Sequence, residues 1–170
     1  MTNKEASSKQ EQMVADFLGW EVVTGSGSRP FRPGDVQNDY YLVECKTHIK
    51  EQKNIVFYKK HWIKICTESR SVNKYPALVV DNGTQLAICT WVMLPKRVIT
   101  SEFTNELLNL VNTSNSDNTI TFSSYSMYQS YECNYVENAI NYFAMWFNEE
   151  RIAIMPLSEF RKFYQEQFEC

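Results

Sequence analysis

Apolar positions recur along the chain with two periods, and the switches between those periods lay out its elements. From Ser8 to Leu18 the apolar residues Met13, Val14, Phe17 and Leu18 share one helical face, and Gly19 supplies a stop. Trp20 to Thr24 reads as a strand, and the loop after it holds two glycines, two serines, two prolines and two arginines. Gly34-Asp35 then opens a hairpin, with the tail of one strand, a polar turn at Gln37-Asn38-Asp39 and an apolar strand from Tyr40 onward. Strand alternation places Leu42, Glu44 and Lys46 on one face and Tyr41, Val43 and Cys45 on the other. Tyr58 to Cys66 has helical spacing, with Trp62, Ile65 and Cys66 inward and Lys59, Lys60 and Lys64 on more polar faces. Ala77 to Asp81 and Leu86 to Trp91 form a strand pair about the turn signal Asp81-Asn82-Gly83. Beyond them come a helix over Glu102 to Val111 and an exposed loop over Asn112 to Asn118. This order gives an α/β layered fold.

The hairpin brings two acids and one amine together. Hard divalent cations take oxygen ligands and keep several waters, so Asp35 and Glu44 suit a metal with positions left open for phosphate oxygens and water. Lys46 has two available roles, orienting or activating that water and offsetting charge that builds on the phosphate. The same triplet on an exposed strand is a solvated charge pair of little energetic weight. Glu11 also has two readings, because Ser8-x-x-Glu11 is a capping box in which the glutamate bonds a backbone amide.

Gly34-Asp35 followed by Glu44-Cys45-Lys46 resembles the PD-(D/E)xK nuclease superfamily, with glycine where its proline usually stands. Proline supplies rigidity and no chemical group, so the exchange is compatible with the chemistry. Within that superfamily the chain is similar to small phage endonucleases and archaeal-type Holliday junction resolvases. These place a short helix, a Gly-Trp or Gly-Phe step, a strand and a Ser/Gly loop before the acid, as Glu11 to Leu18, Gly19-Trp20, Glu21 to Thr24 and Gly25 to Ser28 do here. KKHWIKICTES followed by YPALVV is similar to the lysine-tryptophan helix and Pro-containing strand of the phage enzymes. The resemblance implies a restriction-endonuclease-like three-layer core, a central mixed sheet flanked by helices. It implies a single nuclease domain over 1–170, with the core near 5–95 and 148–170 and an inserted, largely helical segment near 96–147. The implied activity is Mg2+- or Mn2+-dependent hydrolysis of DNA, branched DNA above all, by a homodimer in the cytoplasm of a bacterial or phage-infected cell. Asp35, Glu44, Lys46 and Glu11 are the implied catalytic residues, and Asp35, Glu44 and Glu11 the implied metal ligands. Two rivals remain, a restriction-like or nicking nuclease on linear DNA and a DNA- or protein-binding module that keeps the fold without catalysis.

A net charge of −3 argues against a DNA partner until its distribution is considered. The window from Arg29 to Lys64 carries +4, leaving −7 for the rest, so positive potential gathers around the acids. Arg29 and Arg32 offer planar forks for phosphate, Ser26 and Ser28 hydroxyl donors, and Lys50, Lys59 and Lys60 further cationic contacts. His48 lies close enough to Lys46 in sequence to reach phosphate, although a surface histidine reads the same way.

The remaining features mostly exclude. Five scattered cysteines without a Cys-x-x-Cys pair, and two histidines without partners at zinc spacing, give neither a disulfide framework nor a zinc site; the thiols read as reduced and mostly buried. No run of about 18 apolar residues indicates a membrane span, and no phosphate-binding loop indicates a nucleotide cofactor. Tyr125, Tyr128, Tyr131, Tyr135, Tyr142, Phe143, Trp146 and Phe147 form an aromatic concentration that suits core packing in a second helical layer, a dimer interface or base stacking.

Overall fold

The first helix begins well ahead of Ser8, because Thr2 supplies a better cap. Its side chain accepts from the Glu5 amide at 3.2 Å, and the Glu5 carboxylate accepts from the Thr2 amide at 2.6 Å. Helix α1 therefore runs Asn3–Leu18 and ends where Gly19 turns left-handed at φ 73°. Ser8 and Glu11 lie inside it, so the capping reading of Glu11 is corrected.

The computed structural model describes residues 1–25, 33–107 and 114–168. After α1 come β1 (Glu21–Val22), β2 (Val36–Gln37), β3 (Tyr41–Lys46), β4 (Asn54–Tyr58), α2 (Lys59–Ser71), β5 (Tyr75–Asp81) and β6 (Thr90–Pro95). Next follow β7 (Thr104–Glu106), β8 (Ser114–Asn115), β9 (Thr119–Ser123), α3 (Ser124–Asn134), β10 (Ile140–Phe147), β11 (Glu150–Pro156) and α4 (Leu157–Phe168). Eight strands form one mixed sheet in the order β1-β2-β3-β5-β6-β11-β10-β7, with β3 and β5 parallel and β10 and β7 parallel. Strands β4, β9 and β8 make a second, antiparallel sheet.

Two apolar clusters cover the two faces of the main sheet. Val14, Ala15 and Leu18 of α1 and Phe160 and Phe163 of α4 pack on one face, against Tyr41, Val43, Cys45, Val79 and Val92. Trp62 and Ile65 of α2, Ile55 and Phe57 of β4, and Phe122 of β9 pack on the other, against Leu42, Leu78, Trp91 and Ile154. The layering is α/β, as the sequence pattern indicates. The expected alternation of β3 holds, since Tyr41, Val43 and Cys45 face α1 and α4 while Leu42 faces α2.

The segment 96–147 departs from expectation. It is not largely helical: besides α3 it holds β7, β8, β9 and β10, and two of these extend the main sheet. The expected helix over Glu102 to Val111 is replaced at Thr104–Glu106 by a strand paired to Ile140–Tyr142, because a distant strand offers backbone partners that local propensity does not register. The aromatic run of β10 serves a strand. Tyr142 joins the cluster under α1 and α4, whereas Phe143 and Phe147 join the one under α2. Tyr125 and Trp146 are instead exposed, at 71% and 70%. The expected strand at Leu86 starts only at Thr90, after a single 3-10 turn over Ala87–Cys89. Leu86 and Ile88 point to solvent, which explains why their hydrophobicity misled.

Among the described residues the thiols are free at Cys45, Cys66, Cys89 and Cys133, and of these four only Cys45 is buried, against the expectation of mostly buried cysteines. Among the described residues no helix is long and apolar enough to cross a membrane.

Candidate active site

Asp35 is placed by its backbone before its side chain is considered. Its amide donates to the Val43 carbonyl at 2.8 Å, its carbonyl accepts from Val23 at 2.8 Å, and its Oδ2 accepts from the Cys45 amide at 2.8 Å. The residue is thus clamped between β1 and β3. Gly34 makes the turn possible: its φ is +72°, and a Cβ there would stand 2.6 Å from Leu42 Cδ1 and 3.2 Å from the Val43 carbonyl oxygen. Proline cannot adopt that dihedral, so glycine here is a requirement of this backbone and not a neutral exchange. Glu68 of α2 completes the turn by accepting the Gly34 amide at 3.0 Å.

Glu44 extends from β3 toward α2 with only 2% of its side chain exposed. Lys46 Nζ lies 2.5 Å from Oε1 and Lys64 Nζ 2.5 Å from Oε2. Burial alone would push the Glu44 carboxyl upward, but the charges and hydrogen bonds of Lys46 and Lys64 together outweigh it and hold the group below its ordinary range. Lys64 shows the reciprocal effect. Burial opposes its charge, yet the bond to Glu44 and the charges of Glu44 and Glu68 raise it.

Glu11 and Asp35 behave oppositely to Glu44. Burial raises the Asp35 carboxyl, the Glu44 charge raises it further, and the Cys45 amide opposes. Burial raises Glu11 as well, followed by the charge of Asp35, with Lys46 opposing. Glu11 therefore lies on α1 close enough to Asp35, Lys46 and Glu44 to feel their charges. Its neighbour Gln10, fully buried, donates from Nε2 to the Lys46 carbonyl at 2.9 Å and ties α1 to the end of β3. Among the described residues the buried Gln10 Oε1 has no partner.

The structure thus brings Glu11, Asp35, Glu44 and Lys46 together and adds Lys64, Glu68, Gln10 and His61, none of which the sequence pattern alone assigned to the site. Burial lowers His61, and Lys46 and Lys60 lower it further, so the site disfavours the imidazolium form. One signal was present in the sequence: His61, Lys64 and Glu68 recur at three- and four-residue spacing along α2, which places them on neighbouring turns of one side. His48 sits elsewhere. Its carbonyl, beyond the end of β3, accepts from Gln85 at 3.2 Å. Lys50 is exposed on the β3–β4 connection, Lys59 opens α2, and exposed Lys60 stands 5.5 Å over the Tyr58 ring. Ser26, Ser28, Arg29 and Arg32 lie outside the described residues.

The donor chemistry of Asp35, Glu44 and Glu11, three carboxylates, fits Mg2+ or Mn2+. Their present arrangement is open. Among the described residues no group of three or more His, Cys, Asp and Glu closes into a metal cage. Both Glu44 oxygens are held by ammonium groups, so an arriving ion has to exchange with one of them. Compared with protein-family models, with curated proteins and with solved structures, the chain matches none.

Proposed function

We propose that this protein is a metal-dependent DNA endonuclease with a restriction-endonuclease-like core, cutting branched DNA as a homodimer. The observation that carries the reading is Glu44, a nearly inaccessible carboxylate kept ionised by two lysines beside the clamped Asp35 and the half-buried Glu11. A buried carboxylate held charged is costly unless the charge is used, and with the Asp35 and Glu11 carboxyls beside it at one sheet end the donor set suits a divalent cation. Asp35, Glu44 and Glu11 would hold Mg2+ or Mn2+, which supplies Lewis-acid stabilisation of the phosphate and lowers the pKa of water.

The chain's own residues do the remainder. Lys46, one-third exposed, reaches from Glu44 toward the open side and meets the charge that accumulates on the phosphate. The Cys45 amide fixes one Asp35 oxygen and leaves the other, which has no protein partner among the described residues, free to ligate. Lys60 and the basic window around the site attract the DNA backbone. Dimerisation and preference for branched DNA rest on the resemblance to resolvases, which cut two strands symmetrically.

A second reading is favoured by the two ion pairs on Glu44. A carboxylate already satisfied by two ammonium groups is also what a non-catalytic binding module would keep. Cleavage of a four-way junction beside a matched linear duplex, with Mg2+, with EDTA and with Asp35→Asn, separates the readings. Junction cutting that needs both Mg2+ and Asp35 supports the resolvase-type enzyme. Equal cutting of both substrates moves it to a restriction-like or nicking nuclease, and no cutting of either overturns catalysis.

A further inference from the structure

The two lysines on Glu44 are not equivalent. Lys46 stands two residues away on the same strand and also donates to the Cys45 carbonyl at 3.0 Å, so it is confined. Lys64 comes from α2, its side chain is 48% exposed, and a second carboxylate, Glu68, waits 3.5 Å from its Nζ. Glu68 is itself fixed, because its other oxygen accepts the Gly34 amide. Lys64 thus has one ammonium, two acceptors and a short path between them.

We propose that Lys64 is an internal stand-in for the divalent cation: it occupies Oε2 of Glu44 in the metal-free protein and steps aside to Glu68 when a metal ion binds. The inference rests on reading Glu44 as a metal ligand. A carboxylate buried this deeply needs a counter-charge at all times, since an isolated buried anion is far more costly than a paired one. Lys46 supplies part of it on Oε1 throughout, and Lys64 supplies the rest on Oε2 while the site is empty. The ammonium is then the competitor that a metal has to displace, and its removal makes metal binding tighter while making the metal-free protein less stable. An ordinary structural ion pair would lose stability on removal of the lysine without any gain in metal affinity.

Titration calorimetry with Mn2+ on the DNA-free full chain tests this, using wild type, Lys64→Met, Asp35→Asn, and Lys9→Met as an exposed control on α1. Asp35→Asn reports on the metal site itself. If it binds Mn2+ as wild type does, or if neither wild type nor Lys64→Met binds, the metal reading falls and takes this inference with it. With Asp35-dependent binding established, Lys64→Met is expected to bind about tenfold tighter than wild type, a change of the size that one half-buried charge contact gives, with Lys9→Met unchanged. Binding by Lys64→Met where wild type is silent supports the stand-in equally. Affinity equal to or below wild type overturns the stand-in and leaves the metal site intact, and an equal gain in Lys9→Met reduces the effect to general charge and also overturns it. Should Lys64→Met not fold in EDTA, Lys64→Gln keeps a hydrogen-bond donor without the charge and is expected to shift in the same direction.

Discussion

Glu68 Oε2 accepts the Gly34 amide at 3.0 Å, so a carboxylate on α2 fixes the left-handed turn that presents Asp35. Glu68→Ala removes the acceptor from a buried amide and is expected to cost about 1–2 kcal/mol in stability. Cleavage should fall about tenfold, with DNA affinity unchanged, because Asp35 loses its aim and no phosphate contact is lost. Glu68→Gln keeps an acceptor and should recover stability. Denaturant melts of both variants, paired with cleavage rates, check this; equal damage from Ala and Gln would show that charge and not the bond matters.

Gly34→Ala is expected to destabilise by about 2–3 kcal/mol, from left-handed strain plus the close approach to Leu42. Gly34→Pro should do worse. It imposes a negative φ and deletes the amide that Glu68 accepts. Thermal melts of the two variants decide the matter, and a stable, active Gly34→Pro would refute the turn geometry.

Asp35→Asn and Glu44→Gln should both abolish metal-dependent cleavage, yet move stability in opposite directions. The folded state disfavours the Asp35 charge, and asparagine still accepts the Cys45 amide, so Asp35→Asn should be neutral or stabilising in EDTA. Glu44→Gln leaves Lys46 and Lys64 facing each other without their shared anion. It should cost about 1–3 kcal/mol, less than a fully buried pair because both lysines are partly in water. Chemical denaturation in EDTA reads both signs.

The Glu44–Lys64 pair also sets a pH window. Glu44 lies below its ordinary 4.5, so its contribution is complete above 4.5 and is lost as pH falls through the depressed folded value. Lys64 lies above its ordinary 10.5, so its contribution is complete below 10.5 and is lost as pH rises through the elevated folded value. Asp35 and Glu11, both raised, act oppositely and favour the fold as they protonate. Lys64→Met should therefore flatten the alkaline limb of the stability profile, and Glu44→Gln the acid limb as well, in melts recorded across pH without metal. An unchanged alkaline limb in Lys64→Met would contradict the assignment.

The hairpin was legible because alternation is a local rule: two residues along β3 return a side chain to the same face, whatever lies beyond. Glu44 beside Lys46 follows from that alone. Lys64 could not be paired with Glu44 in the same way, since the contact depends on how α2 crosses the sheet, and Glu11 kept its capping reading only until Thr2 was seen to take the cap. The strand at Asn54–Tyr58 was readable from Ile55 and Phe57 and was missed among the lysines around it. The strand at Thr104–Glu106 was not readable, because its partner stands some thirty-six residues later. The segment holding Arg29 and Arg32 lies outside the described residues, so their expected DNA contacts stand as expectations.

Helix α2 buries Trp62 and Ile65 in the core and, from adjacent turns, sends Lys64 to Glu44 and Glu68 to the Gly34 amide that precedes Asp35. Each residue added to or removed from a helix rotates the turns C-terminal to it by about 100°. Exchanges at exposed positions of α2 other than Lys64 are therefore tolerable, but an insertion or deletion between Trp62 and Glu68 would either lift the aromatic out of its socket or swing the lysine away from its carboxylate. Spacing binds this stretch more tightly than the identity of most of its residues.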